Sequence, residues 1–299
     1  MNVLITGAAG QLGRALLQSV PKQIAGEPVQ LISTSRSGGD GQLALDLADA
    51  GACRALVEQQ RPDWLINAGA YTAVDKAESE PELAQAVNAG APQAFAEALQ
   101  ATGGRLLQLS TDFVFNGAQG FPYKPDQALD PLGVYGASKA AGETAAAAAL
   151  APERLCILRT SWVYGPVGKN FLLTMLRLQR EREQLGVVAD QVGCPTATPG
   201  LAAACWAVLE QGATGVHHWS DAGAASWYDF AVAIAELGQA AGLLEQPARI
   251  NPIGTADYPT PAQRPSYSLL DCTATREALQ QPAVHWRTAL AQVIGDVVA

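Results

Sequence analysis

Short apolar runs alternate with longer helical patterns through the first half of the chain. Asn2–Thr6 (NVLIT) is branched and apolar, the stretch from Gly7 to Gly13 is punctuated by glycine, and a helical pattern follows at Ala15–Val20. The rhythm then repeats. Strands are predicted at Val29–Thr34, Trp64–Asn67, Arg105–Leu109 and Leu155–Arg159, separated by helices at Ala48–Gln60, Pro92–Ala101 and Tyr135–Leu150. The last of these helices contains an alanine run, Ala145–Ala149, which favours the helical state and close helix packing. Strands alternating with helices of crossover length predict an α/β fold, a Rossmann-type doubly wound parallel sheet covered on both faces.

After about Ser161 the rhythm breaks into Gly/Pro-rich loops around isolated helices at Asn170–Arg182, Gly200–Gln211 and Ser226–Ala241. Val216–Trp219 (VHHW) still reads as a strand of the main sheet, and Asp257–Pro265, with three prolines, reads as a non-helical loop. The expectation is a smaller C-terminal lobe interleaved with the first unit. Residues 1–165 plus about 200–225 form the larger part, and about 166–199 plus 226–299 the smaller.

Composition narrows the class. Of 299 residues, 48% are hydrophobic and 16% charged, which excludes disorder as the main state. A formal charge of −9 with no basic block argues against a nucleic-acid partner. No apolar run approaches the ~20 residues of a membrane span, and Met1–Ala8 enters a strand with no basic segment before it. No membrane association and a cytoplasmic location are therefore expected. The five cysteines have no ligand spacing, and His217, His218 and His285 lack a second ligand at metal distance. They read as buried thiols and ordinary histidines, and no metal is expected.

Gly7-Ala8-Ala9-Gly10-Gln11-Leu12-Gly13 follows the first strand and opens a helix, the setting of a dinucleotide-binding turn. Glycine lets the main chain approach a pyrophosphate, and the helix start offers free N–H groups. Gly7, Gly10, Gln11, Leu12 and Gly13 are thus candidate cofactor residues, which makes the larger part the dinucleotide-binding domain and the smaller one the substrate-binding lobe. After the second strand, where an acid would take the ribose 2′-hydroxyl, the chain has Ser35-Arg36. Arg36 suits a 2′-phosphate, so NADPH is expected, with NADH as the alternative. In Leu45-Asp46-Leu47 the acid suits an adenine edge, or else caps the next helix.

Tyr135-Gly136-Ala137-Ser138-Lys139 opens a helix and sets a phenol and an ammonium one turn apart. The ammonium, and the positive ring of an oxidised nicotinamide, lower the phenol pKa and let Tyr135 exchange a proton with a substrate oxygen. Ser110, Thr111 and Asp112 fall at the carboxyl end of a sheet strand, where such sheets bind ligands. A hydroxyl there polarises a carbonyl.

TGAAGQLG, NAGAYTAVDKAE (Asn67–Glu78), STDFVFNG (Ser110–Gly117), YGASK, RTSWVYG (Arg159–Gly165), DQVGCPT (Asp190–Thr196) and RPSYSLLD (Arg264–Asp271) together resemble the extended short-chain dehydrogenase/reductases. More narrowly, the chain is similar to the dTDP-4-dehydrorhamnose reductases over nearly its whole length. That resemblance implies a catalytic triad of Thr111, Tyr135 and Lys139, a cofactor-contacting turn at Ala68, Gly69 and Ala70, and an aromatic, Trp162, near the sugar. It also implies reduction of the C4 ketone of dTDP-4-dehydro-L-rhamnose to dTDP-L-rhamnose, the last step of dTDP-rhamnose synthesis. An epimerase or dehydratase on the same scaffold, or a dinucleotide-binding regulatory subunit, is the alternative. Two residues depart from the family pattern, Phe113 where Tyr is commoner and Asn116 where Asp is. The glutamates of a metal-bridged dimer are also missing, at Ala15 and at Gly200–Ala204, so a monomer or weak dimer is expected. Read without the family, Trp162 stands in an exposed-loop setting suited to stacking on a sugar or nicotinamide. Asp112, Lys169, Asn170 and Arg264 are polar groups for a nucleotide-sugar substrate, Arg264 preferred for a diphosphate because of its fork.

Overall fold

The structure, a computed structural model, describes residues 1–298. Its centre is a seven-stranded sheet in the order Gly215–Trp219, Leu155–Thr160, Arg105–Thr111, Trp64–Asn67, Asn2–Thr6, Gln30–Ser35, Leu43–Ala44, with every neighbouring pair parallel. Successive apolar residues of each strand serve opposite faces, as the two-residue period of a strand requires. Val3, Ile5, Ile66, Leu107 and Leu158 pack with Leu16, Leu201 and Trp206 on one face. Leu4, Leu65, Leu106 and Ile157 pack with Val57, Phe95 and Leu99 on the other. Continuous apolar runs thus mark strands covered on both sides.

Asn2–Thr6 is flanked by Gln30–Ser35 on one side and Trp64–Asn67 on the other. The order of winding reverses there, and a crevice opens beyond the carboxyl ends of the strands.

The helices of the first half lie within a few residues of expectation at Gln11–Gln18, Ala50–Gln60 and Val134–Ala149. One differs substantially. The helix expected from Pro92 begins at Pro81, runs through a π-turn at Ala86–Gly90, and continues as Ala91–Thr102. Proline has no N–H to give the carbonyl four residues back, and the wider turn absorbs that loss by bonding Ala91 N–H to the Ala86 carbonyl. The freed Asn88 carbonyl lies against Gly142 of the Tyr135–Lys139 helix, where a Cβ would come within 2.0 Å of it.

In the second half, Thr198–Gln211 packs on Gln11–Gln18, and Gly215–Trp219 joins the sheet edge beside Leu155–Thr160. A further hydrophobic core gathers Tyr164, Leu172, Leu176, Phe230, Ile234 and Leu290. Phe171–Glu181 and Trp227–Ala240 match the predicted helices, capped by the side chains of Asn170 and Ser226. Elements that the loop-like composition concealed are the parallel pair Gln184–Val188 with Arg249–Ile253 and the helix Trp286–Val298. The proline-rich segment is non-helical as expected, entered through a 3-10 turn at Thr255–Asp257. All five cysteines are buried and free. Among the described residues no helix is long and apolar enough to cross a membrane.

Candidate active site

A cleft of about 890 Å³ opens over the carboxyl ends of the strands, lined from Gly7 and Arg36 at one end to Trp227 and Arg264 at the other. The glycine turn is built by contact. Gly7 has φ +68, and a Cβ on it would sit 2.6 Å from the Gly69 Cα. On Gly13 a Cβ would meet the Gly7 carbonyl at 2.2 Å, so Gly13 packs beneath the turn, while Gly7, Gly10, Gln11 and Leu12 line the cleft. Helix Gln11–Gln18 starts at Gly10 with no side-chain cap, which leaves its first N–H groups and the positive end of its dipole for an anion. Ala68, Gly69 and Ala70 form the facing wall. This cradle fits the pyrophosphate of a dinucleotide.

Further along the same wall lie Ser35, Arg36, Asp46 and Leu47. The Arg36 guanidinium is 80% exposed and 3.7 Å from the Asp46 carboxylate, a loose pair that leaves its fork open. Asp46 accepts from Ala48 N–H, and the residue that caps the following helix is Asp49, through Ala52 N–H. The helix-cap alternative for Asp46 is thereby replaced.

Thr111, Tyr135 and Lys139 meet in the middle of the cleft. The Thr111 hydroxyl donates to Asp112 Oδ1 at 3.0 Å, and Lys139 Nζ donates to the Leu109 carbonyl at 2.6 Å. Burial pushes the Tyr135 phenol up to about 12, against a smaller downward pull from Thr111. Burial pushes Lys139 down to about 8, opposed by the Glu143 carboxylate. The lowering of the phenol expected from Lys139 is therefore not what the protein alone produces: desolvation dominates, and the Asp112 charge adds to the rise. Ser110 Oγ and Thr160 Oγ1 line this region, buried and without a partner in the protein, while the buried Asp112 carboxylate has Thr111 and Ser268 as hydrogen-bonding neighbours. Buried polar atoms of this kind mark a surface built for a ligand.

A family model described as the RmlD substrate binding domain matches residues 1–299. A dTDP-4-dehydrorhamnose reductase of Aggregatibacter actinomycetemcomitans is 39% identical over 298 residues, 98% of each chain. The chain belongs to the dTDP-4-dehydrorhamnose reductase family. Among solved structures, a dTDP-4-dehydrorhamnose reductase of Clostridium acetobutylicum matches with TM-score 0.89 and 35% identity over 100% of both chains. One from Bacillus anthracis, in complex with NADP, matches with TM-score 0.88 and 32% identity over 99% of both.

This member of the reductase family braces its catalytic helix with buried polar groups. Glu143, one turn beyond Lys139, accepts from Arg159 Nε at 2.9 Å and Nη2 at 2.7 Å. Arg159 Nη1 also donates to the Pro125 carbonyl and to His218 Nε2, whose ring places its Nδ1–H on the Tyr123 carbonyl. Burial and the Arg159 charge push His218 down to about 3, so the ring is neutral. On the other side the Asn88 carboxamide holds both the N–H and carbonyl of Tyr71 and donates to Ser138 Oγ. Asn88 thereby couples the turn after Ala70 to the Tyr135 helix. No motif flagged it, since its role depends on the π-turn.

At the outer end of the reductase cleft, Trp162 (φ +46) stacks on Trp227 at 3.6 Å between centroids. Trp227 covers one face of Trp162, the Gly193 backbone lies close against the Trp162 ring, and both tryptophans line the cleft. Lys169 lines it too. Asn170 departs from expectation: its Oδ1 caps Leu173 N–H, and its Nδ2 donates to Gln11 Oε1 and the Gly165 carbonyl. That amide ties the small lobe to the glycine turn and has no role left for a substrate. Arg264 lines the cleft, but its fork is held by Asp75 at 2.9 Å on each of two bonds. Phe113 lies edge-on to Tyr135 at 5.7 Å, and Asn116 binds Asp130 away from the cleft. Among the described residues no group of three His, Cys, Asp or Glu side chains gathers as a metal site.

Proposed function

We propose that the chain reduces the C4 ketone of dTDP-4-dehydro-L-rhamnose with NADPH, giving dTDP-L-rhamnose. What carries the reading is that Thr111, Tyr135 and Lys139 line one cleft with an uncapped glycine-turn helix, in a chain that aligns end to end with dTDP-4-dehydrorhamnose reductases. Gly7, Gly10, Gln11 and Leu12 would hold the pyrophosphate, Ser35 and Arg36 the 2′-phosphate, Asp46 and Leu47 the adenine, and Ala68–Ala70 the facing side. When bound, NADPH supplies the hydride.

The protein's own part is proton and position. Tyr135, held protonated at neutral pH by its raised pKa, gives its proton to the oxygen as charge develops there. Thr111 turns its hydroxyl from Asp112 to the carbonyl and fixes its direction. Lys139, anchored on the Leu109 carbonyl, keeps two further N–H donors for the cofactor ribose. Asp112, beside Thr111 in the cleft, accepts from a sugar hydroxyl. Trp162 and Trp227 wall the sugar, and Arg264 serves the diphosphate. We place the protein in the cytoplasm as a monomer or weak dimer, supported by the absence of acids at Ala15 and Gly200–Ala204.

Purified protein given dTDP-4-dehydro-6-deoxy-L-mannose is expected to consume one NADPH per sugar, followed by loss of dihydronicotinamide absorbance. The free sugar should react far more slowly, because remote binding energy helps place the carbonyl. Isomerisation without loss of absorbance would establish the epimerase alternative. A rate change only in an added partner enzyme would establish the regulatory one.

A further inference from the structure

Two rim cations of the cleft are already paired with acids. Lys76 Nζ lies 2.6 Å from Glu80 Oε1, and Arg264 makes a bidentate pair with Asp75. The second pair joins separate parts of the chain. Asp75 sits in the first turn of the short helix Val74–Ala77, beside the dinucleotide wall, whereas Arg264 belongs to the proline-rich segment of the C-terminal region. Ala262 N–H reaches the same carboxylate at 3.3 Å, and Arg264 Nη1 also donates to Thr260 Oγ1 and the Ala262 carbonyl. Arg264 keeps 23% of its side chain exposed, Asp75 keeps 43%, and Arg264 faces the cleft. The guanidinium beside Asp75 holds its carboxyl below the usual carboxylate value, which favours the charged form.

A fork that fits a carboxylate also fits a phosphate, with the same planar, two-bond geometry. The pair is half-exposed, where such bonds are weak and exchangeable. We propose that Asp75 is a built-in competitor for the substrate's diphosphate: it holds Arg264 in the resting site and yields it to the entering phosphates, thereby setting the affinity for nucleotide over nucleoside. This rests on the nucleotide-sugar reading above and adds to it a residue that weakens binding. A protein with net charge −9 gains from such an arrangement, since a bare cation at its rim would capture any phosphate ester, whereas a pre-paired one favours ligands with enough further contacts to displace the acid.

The test is a binding cycle read by calorimetry on the full chain with dTDP and with thymidine, independent of turnover. Asp75→Asn is expected to tighten dTDP about 3- to 10-fold and to change thymidine less than about twofold. Arg264→Lys, which keeps a charge but loses the fork, should weaken dTDP about 10-fold. Adding Asp75→Asn to Arg264→Lys should then gain less than about twofold, since the competition has lost its object. NADPH affinity and melting temperature report the integrity of each variant, and Asp75→Ser repeats the experiment if the Asn chain is unstable. Weaker dTDP binding by both Asp75 variants would overturn the proposal and make the pair a structural strap. Equal gains for dTDP and thymidine would overturn it as well. If the cycle holds but dTDP-4-dehydro-6-deoxy-L-mannose is not reduced, the catalytic reading falls and the diphosphate site stands. Turnover without coupling between positions 75 and 264 has the opposite consequence.

Discussion

At the scale of single residues, the two titratable groups of the reactive centre are displaced in opposite directions by the same cause. Burial raises the Tyr135 phenol and lowers the Lys139 ammonium, each toward its neutral form. The phenol thus keeps its proton at neutral pH, as the proposed donor must. Tyr135→Phe is expected to keep NADPH affinity while lowering kcat by ~10²-fold or more; steady-state kinetics with near-normal turnover would remove Tyr135 from that role. At the other end of the cleft, Arg36→Ala should narrow the preference for NADPH over NADH, measured as the ratio of kcat/KM values. An unchanged ratio would make Arg36 a bystander. Thr111, Tyr135, Lys139 and Arg36 were legible because local spacing carries them: one helical turn, or one strand end. Trp227, Asn88 and Asp75 were not, since each acquires its place only when distant segments meet at Trp162, Tyr71 and Arg264. Asn170 shows the converse, as its type and position suited a ligand but its amide is consumed as a helix cap.

The elements show where pattern suffices. Strands buried on both faces announce themselves as apolar runs, and glycine between strand and helix marks the phosphate turn. The crowding around that turn predicts a graded response. Gly13→Ala drives a Cβ to 2.2 Å from the rigid Gly7 carbonyl, whereas Gly10→Ala approaches the same oxygen only to 3.1 Å. The first change should lower the melting temperature markedly and abolish NADPH binding in a fluorescence titration; the second should do much less. Similar losses from both would show that close packing is not what these glycines provide. Helix continuity was the harder inference. Pro92 looked like a start because proline favours first-turn positions, yet a π-turn carries the helix across it. The strands Gln184–Val188 and Arg249–Ile253 stayed hidden for a different reason, since each is short, partly exposed and paired across a long separation.

For the molecule as a whole, stability against pH reports on the junction between its parts. Asp221 stands at that junction, accepting from Ala197 N–H at the start of helix Thr198–Gln211, and burial pushes its carboxyl up to about 7. The folded state holds that proton longer than the unfolded chain, so the group's contribution is full below about 4, the unfolded value, and is lost as pH rises through about 7. Asp221→Asn should therefore gain melting temperature relative to the parent between pH 4 and pH 8. A difference that is constant across this range would mean that Asp221 is charged throughout. The same junction has a mechanical consequence. The chain leaves the sheet after Thr160, re-enters it at Gly215 and leaves again after Trp219; Thr160 pairs with Trp219 inside the sheet, and just beyond it Val163 pairs with Thr196. Trp162 lies in the chain between these two bonded pairs, and the Arg264–Asp75 pair joins distant segments at a separate place. A chain cut at Pro166–Lys169 would still have its two fragments bonded to each other through these strand pairs, Thr160 with Trp219 and Val163 with Thr196.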